Sequence, residues 1–448
     1  MAPSMRIVTL LTSVFVALVA IVAFRVSNNP KVKIAISLMG WDGIFNVAVE
    51  NIASRVLGLP QTEARIAYHE LLDTLISFDT MYLSPQRQPL QTKDELAEGY
   101  RLGLALLSIG TEFYMEQDVA HPEFKQLVTP SRKIMGDNPD AFYYFAPISS
   151  ELDYIVQGRR SNEVYMSLTV YGGMTSSGFA SSVDADLNFR NISFQADGSF
   201  EVLVSSRPQP VGDPHSNWLQ VTQSAKSIVT SYFESIISAA VDPSVFVNIT
   251  INTVHAQPSP GNPLTDAEVA ARLRAVTHFV HGHSTGMPPQ DPSKAPGWFS
   301  MTLNTIGKPA LWASDNKDGG MGAVDIAYAA GYFKLEKGDA LLMRGPLPDC
   351  IFANVVLWNR LLQTLDYRSR QISLNRKQMK SLNASSDSEY RIVVSGFDPQ
   401  LSGVDWLDSG DRKGGIIFWR FVLPEGELTQ PSAKVIPAGT PPDAWTWP

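Results

Sequence analysis

The chain has almost no cysteine, since Cys350 is the single thiol among 448 residues. No internal disulfide can form, so the fold must be held together by its hydrophobic core. Cys350 lies in a mostly apolar, strand-like run that continues to Val356. We therefore predict that it is a buried structural thiol rather than a nucleophile.

Motifs of the common enzyme classes are also missing. The sequence contains no Walker loop, no G-x-S-x-G elbow, no G-x-G-x-x-G after a predicted strand, and no CxxC or HExxH framework. The glycine cluster at 319–322 is isolated and does not by itself indicate a nucleotide site. The obvious hydrolase, nucleotide and dinucleotide classes are unsupported, and we predict no cofactor.

The chain has few charged residues, and its net charge is negative. Charged residues make up 18% of the chain and the net charge is −8, so an extended basic surface for nucleic acid is not expected. Hydrophobic residues make up 44%, which is enough for large cores and argues against a disordered chain. At about 150 residues per domain, the length allows about three domains.

One long uncharged run lies near the start of the sequence, from Ile7 to Phe24. It approaches the length of a membrane span, and Arg6 precedes it. We predict either an uncleaved membrane anchor or a removed signal peptide, and in both cases a membrane-anchored or exported protein. Arg25, Lys31 and Lys33 follow the run, which leaves the membrane orientation open.

The chain contains a faint internal duplication. Tyr154–Gly158 resembles Leu341–Gly345, and further apolar segments recur at nearly the same spacing. Two tandem modules of one fold are the simplest cause. The other matched pairs are 168–171 with 355–358, 187–188 with 374–375, 217–219 with 405–407, and 228–229 with 416–417.

Hydrophobic periodicity predicts helices at 41–59, 61–81, 92–113 and 266–281. Thr92 and Glu95 have the spacing of a capping box at the start of the third helix. The duplicated segments are rich in β-branched and aromatic runs between turn signals, which is typical of β-sandwich or jelly-roll modules. The segment 225–241 fits either a helix or the strand that would match 416–421.

The predicted fold class is therefore mainly β with helices (α+β). Two tandem β-sandwich or jelly-roll-like modules follow a helical cap and an N-terminal hydrophobic helix. The predicted segments are an anchor or signal at 1–29, a helical region at 34–125, a first β module at 137–233, a linker with a helix and a Gly/Pro loop at 255–324, a second β module at 325–424, and a Pro/Trp-rich tail at 425–448.

The run Leu357–Arg368, together with Ser373–Arg376, Val404–Asp408 and Gly414–Phe421, resembles a bacterial envelope-protein family catalogued as domain of unknown function twelve-fourteen. Weaker similarity extends over 134–140 and 319–325. The resemblance implies a β-rich fold and a protein that is often exported or linked to a membrane. It implies no particular activity. The helical opening differs from the two-domain members, which open with another β domain.

The same region holds a cluster of polar side chains that is rich in guanidinium groups. Arginine forks suit carboxylate or phosphate, so one interpretation is a pocket for an anionic or polar ligand. The alternative is an Arg–Asp network that fixes a turn between strands. A loop at 398–408 adds carboxylates beside an indole, which suits a glycan but fits loop packing better. The candidate ligand-binding residues are Asn359, Arg360, Asp366, Tyr367, Arg368, Asn375, Trp406 and Asp408.

Three histidines lie close together at His278, His281 and His283. The first two could share a helix face, but Gly282 is expected to end the helix before the third. Because no supporting ligand framework is present, we predict no metal site and keep these residues as weak candidates only.

Three functions therefore remain open. The first is a membrane-anchored or exported protein that binds a small molecule or a glycan of the cell envelope. The second is an enzyme of uncatalogued type, with a polar Arg/Asp/Tyr cleft near the second β module. The third is a structural envelope protein. A cavity at the polar cluster would favour the first two over the third.

Overall fold

The structure is a computed structural model. It describes residues 60–448 apart from 89, 91, 117, 175–179, 234–239, 241, 243, 246, 256–262, 288–291, 313–321, 385–388 and 411. The chain divides into two compact units, 1–62 and 63–448. The predicted anchor at 1–29 and the predicted helix at 41–59 lie outside the described residues. Within the described part of the chain, no helix combines the length and the apolar character needed to cross a membrane.

Helices open the second unit, and their starts follow local sequence signals. The Thr92 hydroxyl accepts a hydrogen bond from the Glu95 amide (3.1 Å), and the Glu95 carboxylate accepts one from the Thr92 amide (3.1 Å). The predicted capping box is therefore confirmed. The helices are α1 (Glu63–Ser77, continued by a π-helical turn Phe78–Tyr82), α2 (Lys93–Gly110, continued by Thr111–Met115), α3 (Asp266–Gly282) and the short α4 (Ser381–Ala384).

A first pair of sheets follows the helices. The five-stranded sheet has the order β1-β2-β8-β4-β5 and the four-stranded sheet the order β7-β6-β3-β9. The strands are β1 (Lys125–Gln126), β2 (Ala141–Pro147), β3 (Tyr154–Arg159), β4 (Tyr165–Met174), β5 (Ala180–Asn188), β6 (Ser199–Ser205), β7 (Trp218–Gln220), β8 (Ala225–Phe233) and β9 (Ile249–Thr253). Side chains of both sheets share one hydrophobic core, including Phe142, Ile228, Val156 and Val202.

A second pair of sheets is built from the remaining strands. The larger sheet has the order β10-β12-β18-β14-β15, with β11 also paired to β12, and the smaller has the order β17-β16-β13-β19. The strands are β10 (Phe299–Ser300), β11 (Ala310–Leu311), β12 (Ile326–Lys334), β13 (Ala340–Pro346), β14 (Phe352–Trp358), β15 (Ser373–Asn375), β16 (Glu389–Ser395), β17 (Asp405–Asp408), β18 (Gly414–Val422) and β19 (Ser432–Ile436). Cys350 is buried, as predicted, and burial raises the pKa of its thiol to about 11.

The two pairs of sheets have the same strand order, β2-β8-β4-β5 against β12-β18-β14-β15 and β7-β6-β3-β9 against β17-β16-β13-β19. In both, the smaller sheet has one parallel pair of strands, in which Trp218 lies opposite Leu203 and Trp406 lies opposite Val393. The segments aligned by the sequence comparison thus occupy matching strands. The chain is β-rich with helices, which confirms the predicted α+β class, whereas the predicted domain limits stay predictions.

The helices and the two larger sheets meet in the interior. Phe113, in the turn after α2, stacks on Phe145 of β2 with 4.7 Å between ring centroids. Phe233 of β8 contacts Phe352 of β14, with 5.3 Å between centroids. The Tyr165 hydroxyl donates to the Asp325 carboxylate across the same boundary (2.9 Å). These contacts place the β14–β15 connection, which contains the polar cluster, against α2.

Candidate functional site

The connection after β14 is a tight loop that Asn359 organises. Its side-chain oxygen accepts hydrogen bonds from the amides of Leu361 and Gln363, both at 3.0 Å. Asn side chains commonly stabilise turns in this way. Leu362 adopts a left-handed conformation (φ 59°) inside the loop. We call residues 359–368 the anchor loop.

Lys133 holds the middle of the anchor loop in place through hydrogen bonds to its backbone. Its Nζ atom donates hydrogen bonds to the carbonyl oxygens of Thr364 (3.1 Å) and Leu365 (2.6 Å) and lies 4.4 Å from the centre of the Tyr367 ring. Burial lowers the pKa of Lys133 to about 8, against the opposing attraction of Asp137. The amine is therefore a cation at neutral pH and begins to lose its proton in mildly basic solution.

The buried carboxylate of Asp137 binds the same segment of the loop. Asp137 accepts hydrogen bonds from the Thr364 amide (2.8 Å) and hydroxyl (2.5 Å). Burial raises the pKa of Asp137, although Lys133 and Thr364 counteract this effect. The Trp358 indole donates to the Asp137 carbonyl (3.0 Å) and leaves no room for a side chain at Gly136, whose φ is +82°. The loop is therefore fixed by contacts to residues far away in the sequence.

A pocket of about 170 Å³ lies between α2 and the anchor loop. Its charged lining consists of four cations and two carboxylates, which leaves a surplus of two positive charges at neutral pH. The cations are Arg101, Lys133, Arg368 and Arg412, and the carboxylates are Glu98 and Asp366. We call this space the α2 pocket.

Glu98 of α2 already has cationic and amide partners. It pairs with Arg412, whose Nη1 lies 3.0 Å from Oε2, and it accepts a hydrogen bond from the Asn359 amide (3.1 Å). Burial lowers the pKa of Arg412, while the acidic residues at the start of α2 oppose this shift. Arg101, in contrast, is exposed and makes no ion pair with any described residue. The surplus charge is therefore concentrated at Arg101 and Lys133.

Asp366 and Arg368 form the rim of the pocket rather than a buried network. Their side chains are 44% and 54% exposed, and Arg368 Nε lies 3.1 Å from an Asp366 oxygen. Partial burial pushes the pKa of Asp366 upward, but hydrogen bonds from Arg368 and Ser369 outweigh it and hold the pKa below its usual range. The Arg–Asp interpretation thus holds in that the pair lies at a turn, but the pair is exposed and not part of a buried network.

The remaining candidate residues lie elsewhere. Arg360 does not line the pocket; its guanidinium lies 5.7 Å from the Tyr332 ring centre and its Nε 4.0 Å from Glu95. Asn375 is buried between the larger sheets and donates to Asp140 (3.4 Å). The structure thus brings together Asn359, Asp366 and Arg368 at the pocket, while the Tyr367 ring contacts the Lys133 ammonium.

The loop candidates Trp406 and Asp408 are separated from the pocket as well. The Trp406 indole donates to the Ser395 carbonyl (3.2 Å), and its side chain, like those of Trp445 and Trp447, packs against the small core that includes Leu342. Asp408 pairs with Arg370 (3.2 Å). Both contacts fit the packing interpretation of this loop and not a glycan platform.

The three histidines have different surroundings. His278 is exposed, His281 bonds the Thr285 hydroxyl (2.9 Å), and buried His283 donates from Nδ1 to the Phe279 carbonyl (2.8 Å). Burial lowers the pKa of His283 to about 4. Among the described residues, no group of three His, Cys, Asp or Glu side chains could hold a metal ion.

Sequence reasoning missed Glu98, Arg101, Lys133 and Arg412. Glu98 and Arg101 are spaced by three residues on α2, so they share a helix face, but this pattern is common on solvated helices. No sequence pattern pointed to Lys133, because its partners Thr364 and Leu365 lie more than two hundred residues further along the chain. Only the long-range packing reveals that these side chains converge.

One comparison with a solved structure agrees with this fold. The chain superposes on a crystal structure of an uncharacterised protein of Burkholderia cenocepacia with a TM-score of 0.68 and 23% identity, covering 83% of this chain and 96% of the other. A Vibrio parahaemolyticus protein matches with a TM-score of 0.45 and 13% identity, covering 75% and 98%. No curated protein matches the sequence.

A family model described as protein of unknown function (DUF1214) matches residues 146–233. This range covers most of the first pair of sheets. The motifs between Leu357 and Phe421, on which the sequence resemblance was based, lie outside it and in the second pair. Residues 146–233 are thus similar to a family for which the model describes no function.

Proposed function

We propose that the protein binds a small oxyanion, a carboxylate or a phosphate, in the α2 pocket. The observation that carries this proposal is the surplus of two positive charges in a preformed cavity. The Asn359, Lys133 and Asp137 contacts hold the walls in place, so little ordering free energy would be lost on binding. A positively charged concave site also concentrates anions from solution.

The size of the pocket restricts the ligand. At about 170 Å³ it is smaller than the roughly 300–1,000 Å³ of drug-sized ligand sites. A polymer or a nucleotide would not fit, whereas a molecule of the size of phosphate or succinate would. Arg101 and Arg368 at the rim present guanidinium forks, which match the paired oxygens of carboxylates and phosphates.

Binding is favoured over catalysis by the state of Lys133. Two of its N–H groups donate to backbone carbonyls, and because the amine is a cation at neutral pH, its third position carries an N–H and not a lone pair. A general base would need a nitrogen lone pair directed at the substrate. The geometry therefore supports a positioning cation in a binding site.

Isothermal titration calorimetry on the full chain tests the proposal with phosphate, succinate and the uncharged analogue succinamide. We expect phosphate or succinate to bind and succinamide not to bind. The variant Arg101→Gln should weaken binding about tenfold or more, as expected for loss of one charge-assisted hydrogen bond. The matched control is Arg370→Gln, which removes an arginine that is paired with Asp408 outside the pocket.

We further propose that the segment 1–29 anchors the protein to a membrane or directs its export, and that the two pairs of sheets are tandem jelly-roll-like modules. The uncharged run Ile7–Phe24 supports the first idea and the repeated strand order supports the second. Membrane fractionation of the full chain and of residues 30–448 tests the anchor. If the full chain and residues 30–448 are found in the same fraction, the anchoring proposal fails.

A further inference from the structure

A second concave surface lies on the first pair of sheets and shares no lining residue with the α2 pocket. It is a groove of about 460 Å³ at one end of β3 and β6, walled by the loops 193–199 and 214–216. Its polar lining includes Gln157, Ser193, Gln195, Glu201 and His215. We call it the β6 groove.

The walls of the groove are fixed by one buried amide. The Asn217 side chain accepts a hydrogen bond from the Ser193 amide (2.7 Å) and donates to the carbonyls of Ser193 (3.0 Å) and Glu201 (2.8 Å). Asn217 is 3% exposed. It therefore ties both loops to β6, and the groove is present before any ligand arrives.

The polar groups in the groove are oriented as well. Glu201 accepts a hydrogen bond from the Gln157 amide (2.8 Å), and its other oxygen lies 3.7 Å from His215 Nε2. Asp213 holds the opposite ring nitrogen of His215 at 2.7 Å. These contacts leave a carboxylate and an imidazole side by side, with the amide of Gln195 exposed nearby.

The charge of the groove differs from that of the α2 pocket. Its lining contains neither lysine nor arginine, and one carboxylate faces one histidine. Phosphates and nucleic acids are bound mainly by cationic side chains, so they are poor ligands for this surface. Carboxylate, amide and hydroxyl groups, in contrast, can each pair with a hydroxyl as donor or acceptor.

The corresponding surface of the second pair of sheets is different. Gln157 lies opposite Glu201, whereas the matching positions there are Arg344 and Arg391. The neighbouring apolar face, with Leu342 and Trp406, is covered by Trp445 and Trp447 of the chain's tail. An open surface without lysine or arginine is thus specific to the first pair of sheets and does not follow from the shared fold.

From this geometry we infer that the β6 groove binds a neutral carbohydrate of about two to three sugar rings. Glu201 and Gln157 accept and donate hydrogen bonds to adjacent ring hydroxyls, and Gln195 closes the opposite side. The groove is larger than the α2 pocket, 460 against 170 Å³, which fits an oligosaccharide better than a single small ion. The two sites are independent, so either can fail without the other.

Saturation-transfer NMR and calorimetry on the full chain test this inference with cellotriose, maltotriose and tri-N-acetylchitotriose. We expect at least one of them to bind. Glu201→Gln and Gln195→Ala should each weaken that binding about tenfold. Gln220→Ala is the matched control, because Gln220 is exposed on β7 of the same sheet but does not line the groove.

The inference is overturned if none of the three trisaccharides binds, or if binding is the same in the parent, Glu201→Gln and Gln195→Ala. Arg101→Gln separates the two sites, since it should weaken anion binding about tenfold or more and leave carbohydrate binding unchanged. A trisaccharide displaced by phosphate or succinate would place it in the α2 pocket and also contradict the inference.

Discussion

The Nζ atom of Lys133 lies 4.4 Å from the centre of the Tyr367 ring, on the loop whose carbonyls it also binds. A cation over an aromatic face gains about 0.5–2 kcal/mol, depending on how far it is desolvated. The lysine therefore connects the segment between β1 and β2 to the loop that follows β14. This connection gives both the shape of the α2 pocket and part of its charge.

Replacing Lys133 with methionine should destabilise the protein. The variant loses two charge-assisted hydrogen bonds and leaves the carbonyls of Thr364 and Leu365 without this donor. We expect the free energy of unfolding to fall by about 2 kcal/mol or more. Urea denaturation measures the change, and Lys226→Met, at an exposed lysine, should change it by less than about 0.5 kcal/mol. Equal stabilities of the two variants would show that Lys133 does not hold the loop.

Asp366→Ala should have a small effect on stability, because this carboxylate is half exposed and pairs with a half-exposed arginine. Exposed pairs contribute at most about 1 kcal/mol. Urea denaturation should therefore give nearly parental stability. A loss of about 3 kcal/mol or more would instead show that the pair behaves as a buried network.

Binding of an oxyanion should depend on pH through Lys133. Its pKa is about 8, so it is largely protonated at pH 7 and progressively neutral above pH 8. A bound anion favours the protonated form, so binding near pH 8 should be accompanied by proton uptake, and affinity should fall as pH rises further. Calorimetry in buffers of different ionisation enthalpy measures this uptake. If anion binding takes up no proton at pH 8 and the affinity is unchanged at pH 9.5, Lys133 is excluded from the site.

Acid should weaken the fold through His283. Its pKa is about 4 in the folded protein and about 6.5 when unfolded, so the unfolded chain binds the proton more readily between these values. Stability is therefore retained above about pH 6.5 and lost as pH falls toward 4, by about 3 kcal/mol for this residue. His283→Asn should flatten the pH dependence of the unfolding free energy over this window.

The control for this effect is His278→Asn, since His278 is exposed on the same helix. It should leave the pH dependence unchanged. If both histidine variants have the same profile as the parent, the acid sensitivity of the protein comes from other groups.

Features set by local contacts could be predicted from the sequence. The capping box of Thr92 and Glu95 joins residues three apart, and Asn359 organises its loop through amides two and four residues away. The repeated strand order agrees with the internal similarity, from which two modules of one fold were expected, although the order itself was not predicted. These features depend on few neighbours, so residue types and spacing were enough.

The site required long-range packing and could not be read from spacing alone. Asp366 and Arg368 pair locally, as their types indicate, but their exposure depends on how α2 lies over the loop. Glu98 and Lys133 reach the pocket only because the helices pack on the five-stranded sheet and the two larger sheets face each other. No local pattern encodes that convergence.

Anomalous scattering from a selenate soak tests the central claim most directly, since selenate has the shape of phosphate and its position can be measured. Crystals of the protein should show an anomalous peak within hydrogen-bond distance of Arg101 or Lys133 in the α2 pocket. Crystals of Arg101→Gln should show a much weaker peak there, while those of Arg370→Gln should resemble the parent. A pocket without selenate, or a peak that is unchanged in Arg101→Gln, would contradict the assignment of the α2 pocket as an oxyanion site.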